Sequence, residues 1–486
     1  MHDETYAPFA DAVLRVQSAG RPAADIVSFH ALPWSQGQSV RDSGRLRDKY
    51  WQIFGPEFLA SEMTYSGEVL DTFFYPSGPL ELAEQLAAEA FGSTHTFFGT
   101  CGTTLSNQVA VDTWDGAGRR FLVDRTAHHS LHVATARARA SVEYAPSLDV
   151  RHPVRQPLLD VPGMLRQMRE AVQAGVPYDT VVLAGSSYDG VLYNVPAILA
   201  ACREASPETT SFLVDEAWSA INAFHGELRQ FSGLSAAANL DIGRERAGIL
   251  VTQSAHKSMS AARQGSYLHV LGDEQLVASV RTSLYGRHST SPSIPILASL
   301  DLARAHAQAQ GERAVRRSIE LARYVCETIA VDPKLKAYST TDPYSATDPG
   351  CQGYFAVDPT KVRIDSTGLN LNGEQMRTRL FRDHRIYVSR TLPGGFLLNI
   401  HIGTDLQQVD RLLDALRFIA RRVNRPVPDC PDHLTEGNVD RLVVAYPPGV
   451  PLAVPGEAWT EQHQDRLDTL RGQGGTFYTL PLSPGG

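Results

Sequence analysis

Lys257 lies in the run Thr252-Gln253-Ser254-Ala255-His256-Lys257-Ser258, directly after the apolar residues Ile249-Leu250-Val251. A primary amine there can attack a carbonyl carbon to form an imine, and Ser254 and His256 beside it can donate hydrogen bonds to an anion. Asp215 ends a second apolar run, Phe212-Leu213-Val214, and opens Asp215-Glu216-Ala217-Trp218. A carboxylate closing a buried strand needs a cationic partner, because an unpaired one is costly to desolvate. The segment Gly99-Thr100-Cys101-Gly102-Thr103-Thr104-Leu105-Ser106-Asn107 joins a turn to a helix start. Backbone N–H groups at such a start, with the hydroxyls of Thr103 and Thr104, make an anion site. Asp124-Arg125-Thr126-Ala127-His128-His129-Ser130-Leu131-His132 follows a third apolar run, and an imidazole there can stack on a flat ring.

Each feature alone has an ordinary explanation: a surface lysine, a helix N-cap or structural ion pair for Asp215, a common glycine-threonine turn. The three histidines also suggest a metal. A zinc site wants further thiolate or carboxylate ligands at defined spacing, and none lie nearby in sequence, so stacking is the better reading and no metal is expected. Together the four segments meet the needs of pyridoxal 5′-phosphate (PLP). That cofactor requires a lysine to form its imine, an acid to keep the pyridine nitrogen protonated, a flat partner for the ring and donors for the phosphate. PLP is the expected cofactor, held as a Schiff base on Lys257.

The elements that must position these residues are short apolar runs alternating with helical patterns between about residues 80 and 300. Phe121-Leu122-Val123, Thr180-Val181-Val182-Leu183-Ala184, Phe212-Leu213-Val214 and Ile249-Leu250-Val251-Thr252 are nearly unbroken in hydrophobicity. Such runs suit strands buried on both faces of a mainly parallel sheet, whose ligands gather at the carboxyl edge. Leu80, Leu82, Ala83, Leu86, Ala87, Ala90 and Phe91 share one side of a helix, with Pro79 in its first turn. Leu302 to Val331 reads as one or two helices. A smaller α+β pattern follows, with strand-like Tyr387-Val388-Ser389 and Phe396-Leu397-Leu398-Asn399-Ile400 and a last helix over about Asp405 to Arg422. The spacing predicts four parts: an N-terminal segment and active-site entrance (1–60), a PLP-binding large domain (61–305), a small α+β domain (306–425) and a C-terminal subdomain (426–486). The last holds a predicted strand, Leu442-Val443-Val444-Ala445-Tyr446.

Forty-five basic against fifty-three acidic residues leave a net charge of −8, with no basic run to suggest a nucleic-acid face. The N-terminus lacks a signal-peptide pattern and no stretch approaches eighteen uninterrupted apolar residues, so a cytoplasmic protein is expected. Five scattered cysteines, Cys101, Cys202, Cys326, Cys351 and Cys430, show no CxxC spacing and read as free thiols.

Taken in order, these segments resemble the bacterial ornithine/lysine/arginine decarboxylases, PLP enzymes of the aspartate-aminotransferase-like fold. The family lysine stands in Gln-Ser-Thr-His-Lys, and Gln253-Ser254-Ala255-His256-Lys257 differs only by alanine. The family's stacking histidine stands in Arg-Asn-Cys-His-Lys-Ser, matched less closely by Arg125-Thr126-Ala127-His128-His129-Ser130. The likeness continues through Ser187-Tyr188-Asp189-Gly190, His288-Ser289-Thr290-Ser291-Pro292, Ala445-Tyr446-Pro447-Pro448-Gly449-Val450-Pro451 and Pro455-Gly456-Glu457, covering roughly residues 25 to 460. It implies an α/β chain of PLP fold type I: a mainly parallel, seven-stranded large-domain sheet, a small α+β domain and a C-terminal subdomain. The length suits a compact form without the N-terminal wing of the large members.

By this resemblance Lys257, Asp215 and His128 are catalytic, with Asp215 on the ring nitrogen, His128 stacked on one face and Ala217 on the other. Gly102, Thr103, Thr104, Ser254 and His256 would hold the phosphate, with Ser289 and Thr290 reaching that of a neighbouring subunit. A homodimer or higher homo-oligomer with shared active sites is implied. The family reaction is decarboxylation of a basic amino acid (lysine, arginine, ornithine or a derivative) through an external aldimine and a quinonoid carbanion. The same cofactor also supports transamination, oxidative deamination, aldol cleavage and elimination, and the fold does not select among them. A protein kept only as a binding partner would have lost Lys257 or Asp215, and both are present.

Three departures fall where substrate is chosen. The family's early Pro-Gly-His-Lys is replaced by Phe29-His30-Ala31-Leu32-Pro33-Trp34-Ser35-Gln36-Gly37, Ser-Gln-Ala-Ser by Arg263-Gln264-Gly265-Ser266, and Val-Glu-Lys-Thr by Val388-Ser389-Arg390-Thr391. A lost acid and a gained cation disfavour a positively charged tail, and Arg263 either faces solvent or binds a substrate anion. Trp34, Trp218, Arg263, Arg390 and Glu457 are the substrate candidates, with Glu457 and Glu216 as possible partners for an amine. The alternative is a divergent PLP enzyme of specialised biosynthesis, an aminotransferase, oxidase or deaminase, aldolase or lyase, acting on a different amino acid, an acidic one among the options.

Overall fold

The computed structural model describes residues 6–19, 29–30, 32–64, 67, 69–148, 157–236, 248–340, 353–422, 437–438, 441–446, 450–454, 457–472 and 476–481. Seven short strands form the main sheet: β1 (His95–Gly99), β2 (Arg120–Asp124), β3 (Ser141–Ala145), β4 (Thr180–Ala184), β5 (Ser211–Asp215), β6 (Gly248–Gln253) and β7 (Ser266–Leu271). Their order is β1-β7-β6-β5-β4-β2-β3. Every residue of β4, β5 and β6 is buried, which is why their sequences are apolar without alternation. Four strands match the apolar runs in the sequence; β1, β3 and β7 were not anticipated. The middle of β7 carries a buried histidine, His269, whose Nδ1 meets Thr96 Oγ1 of β1 at 2.8 Å. Two polar groups satisfying each other hide an interior strand from a hydrophobicity reading. β3 lies at the sheet edge and is only half buried.

The chain divides into two compact units, Met1–Trp114 with Glu216–Arg229 and Asp241–Glu312, and Asp115–Asp215 with Gln230–Leu240 and Arg313–Gly486. In the first, β1, β7 and β6 pair antiparallel. The helix Pro79–Phe91 buries Leu80, Ala83, Leu86, Ala87 and Phe91 as its spacing predicts. It also buries Glu84, which lies 3.3 Å from His95 Nε2 and accepts the Phe98 N–H. The N-terminal helix Pro8–Ala19 is tied down by Asp301, whose Oδ2 accepts the N–H groups of Phe9 and Ala10 at 2.9 and 3.3 Å. The buried Arg304 holds the other oxygen of Asp301 at 2.7 Å.

In the second unit, β2 pairs in parallel with β3 and β4, and β4 with β5. A four-stranded antiparallel sheet follows, made of β8 (Ser339–Thr340), β9 (Lys361–Asp365), β10 (Arg390–Leu392) and β11 (Gly395–Asn399) in the order β8-β9-β11-β10. The helices Gly373–His384 and Leu406–Arg422 share a core with it that includes Ile364, Phe396, Met376, Leu380, Leu413 and Leu416. Tyr387-Val388-Ser389, expected as a strand, is irregular; the strand begins at Arg390. The expected helices over 302–331 are one helix of 38 residues, Ile294–Val331. The C-terminal region has a three-stranded sheet, β12 (Arg441–Tyr446), β13 (Val450–Ala453) and β14 (Thr476–Pro481), ordered β13-β12-β14, and the helix Glu461–Gly472. Of its quoted motif, Pro447, Pro448, Gly449, Pro455 and Gly456 lie outside the described residues, as do Ala31, Cys351 and Cys430. No described helix is long and apolar enough to cross a membrane.

Candidate active site

In the first unit, β6 ends at Gln253 and the chain turns through Ser254 into a single helical turn, Ala255–Ser258. The Lys257 N–H closes that turn on Ser254 O at 3.1 Å. Its ammonium stands 4.2 Å from the centroid of the Trp218 ring. Trp218 is held there because Glu216 N–H bonds to Thr252 O at 2.8 Å, binding the Glu216–Trp218 segment to β6, while Ile221 N–H donates to Ser258 Oγ at 3.2 Å. The Glu216 side chain accepts from Gln253 Nε2 at 3.0 Å and is almost wholly buried, so it is committed to the sheet rather than open to an amine.

The anion donors converge on the same turn. Thr103 Oγ1 lies 2.6 Å from Ser254 Oγ, both buried, which joins the first turn of the helix Gly102–Trp114 to the residue preceding the lysine helix. Gly102 has φ of +75°, and its N–H donates to Gln264 O at 2.8 Å. Gln264 itself has φ of +71°, a conformation that costs a side-chain-bearing residue about 1 kcal/mol or more and persists only where its surroundings impose it. Thr104 is exposed one position beyond Thr103. His256 Nδ1 lies 3.0 Å from Gly265 O, and since a carbonyl only accepts, that nitrogen carries the proton and Nε2 is the free ring atom. Burial, with the charges of Lys257 and Arg263, lowers the His256 pKa against the opposing effect of the Gly265 bond. Two buried hydroxyls, a helix start and a lysine are a donor set suited to a phosphate monoester beside a carbonyl, to which His256 Nε2 adds a donor once its ring is protonated.

His288, not anticipated as a site residue, fastens the Thr-Ser-Pro loop to this cradle. Its Nε2 accepts the Thr100 N–H at 3.2 Å and its Nδ1 donates to Ser289 O at 2.8 Å, the pattern of a neutral ring. Burial lowers its pKa, consistent with that tautomer. Beyond it Ser289 and Thr290 are exposed. Arg263 is exposed as well. Trp34 packs edge-on against Tyr50 and Phe54, with centroids 5.7 and 5.5 Å away, inside an N-terminal aromatic cluster. Ala217 is buried.

In the second unit the parallel strands end level, for Ala184 of β4 opposes Asp215 of β5. Asp215 is buried at that edge. At the end of β2, Asp124 accepts Thr126 N and Oγ1 at 2.7 and 2.8 Å and Ala184 N at 3.2 Å, which fixes the loop leading to His128 against β4. His128 caps the helix His129–Ala136: its Nδ1 accepts the Ser130 N–H at 3.3 Å and lies 2.8 Å from Ser130 Oγ. An Nδ1 acting as acceptor leaves the neutral ring's proton on Nε2. The third histidine, His132, is buried and donates through Nε2 to Ala127 O at 3.2 Å.

Two substrate candidates are engaged within the protein. Arg390 Nη1 pairs with Asp189 Oδ1 at 2.7 Å, with side-chain exposures of 11% and 0%. Glu457 is gripped by Arg125 through Nε and, at 2.6 Å, Nη2. The partners stand 201 and 332 residues apart, so no local pattern reveals them. Tyr188 O–H donates to Ser389 O at 2.6 Å, placing the departure from Val-Glu-Lys-Thr next to the Ser-Tyr-Asp-Gly loop.

Residues 23–380 match the family described as Orn/Lys/Arg decarboxylase, major domain, and residues 431–481 its C-terminal domain. The chain is 26% identical to an arginine decarboxylase of Halalkalibacterium halodurans, over 90% of this chain and 89% of that one. It is 25% identical to the constitutive lysine decarboxylase of Escherichia coli, over 87% and 72%. The structure of the Francisella novicida lysine decarboxylase LdcF superposes with a TM-score of 0.76 at 18% identity, covering 98% of this chain and 79% of that one, a likeness of fold.

Proposed function

Because the chain belongs to the Orn/Lys/Arg decarboxylase family and is a carboxy-lyase, we propose that it is a PLP-dependent decarboxylase of a basic amino acid. The observation that carries the reading is the Thr103–Ser254 contact, which brings a helix start, two hydroxyls and the lysine turn to one place. When bound, PLP supplies the sink for the electron pair left on the α-carbon as CO₂ departs. Thr103, Ser254 and His256 would hold its phosphate, with Gly102 and Thr104 at the helix start. Lys257 would hold its carbonyl carbon and, once released, carry the proton that replaces CO₂ on the α-carbon. Asp215 would keep a pyridine N–H charged, and His128, with its ring fixed by Ser130, would stack on one face opposite Ala217.

The basic substrate rests on the relatives named arginine and lysine decarboxylase. Arg263 is exposed, which fits its solvent-facing reading; an acidic substrate is the alternative that would engage it. Incubating the PLP-loaded protein with lysine, arginine, ornithine, aspartate and glutamate, and following CO₂ and the retained amine, decides between them. Amine and CO₂ from a basic amino acid support decarboxylation; keto-acid or product from the acidic ones alone overturns it. Lys257→Ala should abolish both the visible absorbance of bound PLP and turnover.

The same reading includes a homodimer. The helices Arg45–Phe54 and Pro56–Ser61 expose Leu46, Trp51, Ile53, Phe54 and Phe58, and the first buries no residue. Large apolar side chains exposed on two packed helices are what an interface would cover, and a second copy is the occupant this family reading supplies. Leu46→Asp with Ile53→Asp should give a monomer by sedimentation; an unchanged assembly would remove these helices from the interface.

A further inference from the structure

We propose that Glu457 of the C-terminal region is a positioning residue for His128, acting through Arg125; this rests on His128 being the residue that stacks on PLP. Arg125 stands three positions before His128, on the loop pinned by Asp124. Its guanidinium meets both carboxylate oxygens of Glu457 and, through Nη2, the Leu452 carbonyl at 2.9 Å. Glu457 is fixed in turn by the Val454 N–H on Oε2 at 3.1 Å, with His463 Nε2 at 3.9 Å. Burial alone would push the Glu457 carboxyl up, but the Arg125 hydrogen bond and charge bring it below the usual carboxylate range.

The contact does not stand alone. Val444 and Val454 form a small core against Val133 and Tyr144, so the C-terminal strands rest on the very helix that His128 caps. The loop from Asp124 to His128 is thereby held from three sides: by Ala184 of β4, by His132 of its own helix, and by Glu457. Removing the third leaves Arg125, only 11% exposed, without its anion and free to draw the loop toward water. A planar two-point pair also fixes direction, which a lysine or a single contact does not.

The test uses Glu457→Gln, with Arg125→Lys as a second variant and Leu467→Ala as the control. Leu467 lies in the C-terminal core with Val443 and Leu452, so its truncation loosens that region and leaves the ion pair intact. Three quantities are measured on the full chain: backbone hydrogen exchange over 124–132 without cofactor, PLP affinity, and visible circular dichroism per bound PLP, which reports ring orientation. Glu457→Gln and Arg125→Lys should speed exchange in that loop, weaken PLP about fivefold and reduce the dichroism, as coupled members of one ion-pair network do. Leu467→Ala, at equal loss of Tm, should leave all three near wild type. Unchanged exchange and dichroism in Glu457→Gln, or equal changes in Leu467→Ala, would overturn the positioning role while leaving the PLP reading intact. A wild-type protein that takes up no PLP overturns both.

Discussion

The Lys257 ammonium lies over the ring of Trp218, 4.2 Å from its centroid, and the two are held together by the bonds of Glu216 N–H to the end of β6 and of Ile221 N–H to Ser258. Trp218, a substrate candidate by sequence, stands as a wall beside the lysine. Contacts of this kind are worth about 0.5–2 kcal/mol, so losing the ring should loosen the amine without abolishing it. Trp218→Ala should therefore slow reconstitution with PLP several-fold, and Trp218→Phe should recover most of the rate. Stopped-flow absorbance follows both; equal rates in all three proteins would mean that the ring does not order the lysine.

His256 gives a pH dependence whose sign is fixed by its bond to Gly265. With Nδ1 donating to that carbonyl, Nε2 can donate to a phosphate only when the ring gains a second proton. Without cofactor the His256 pKa lies below its ordinary value, through burial and the charges of Lys257 and Arg263, and phosphate binding would raise it. Binding then takes up a proton, so affinity is greatest below the cofactor-free pKa and declines as pH rises through the cofactor-bound one. PLP affinity measured between pH 6 and 8 should fall with rising pH, and His256→Gln should flatten the part of the slope due to this ring. Parallel slopes in the two proteins would exclude His256 as a phosphate donor.

Asp189 and Arg390 form an ion pair with almost no solvent access. Breaking one partner of a buried pair costs roughly 3–5 kcal/mol, because the other charge stays buried without compensation. Arg390→Ala should lower Tm by several degrees and destabilise the fold more than it alters KM, opposite to what a substrate-binding arginine would show. Thermal unfolding and steady-state kinetics on the same preparation separate the two. A normal Tm with a KM raised tenfold would restore Arg390 to the substrate site.

The parts of the fold legible in sequence were those where burial is uniform. The runs in β4, β5 and β6 are apolar because both faces are covered, and the polar residues after them, Asp215 and Lys257, stand out by contrast. β7 was not legible, since His269 fills an interior position by bonding Thr96 and Gln253 on neighbouring strands. The order Thr103, His128, Asp215, Lys257 could be read; the partners of Arg390 and Glu457 could not, because an ion pair between residues hundreds of positions apart leaves no periodic trace. A charge that looks available in sequence is available only if the fold has not already neutralised it.

Two of these buried rings should also set the acid limit of the fold. Burial takes the His132 pKa down to about 4 and that of His269 to about 3, whereas both titrate near 6.5 when unfolded. Between those values the unfolded chain binds more protons than the folded one, so stability is fully present above pH 6.5 and is lost as the pH falls. Each ring contributes a slope of about 1.4 kcal/mol per pH unit in that window, and His256, His288 and His401, also lowered, act in the same direction. Between pH 6.5 and 5 the raised carboxyls of Asp124, Asp301 and Glu62 act in the opposite direction, so the histidine contribution is read from the difference between wild type and a histidine variant. Urea midpoints should decline more steeply over that interval in the wild type than in such a variant. His269→Gln retains the positions for bonding to Thr96 and Gln253 but cannot titrate, so it should remove about one proton from the dependence. If the variant and the wild type lose stability in parallel, His269 is not being held neutral by the fold.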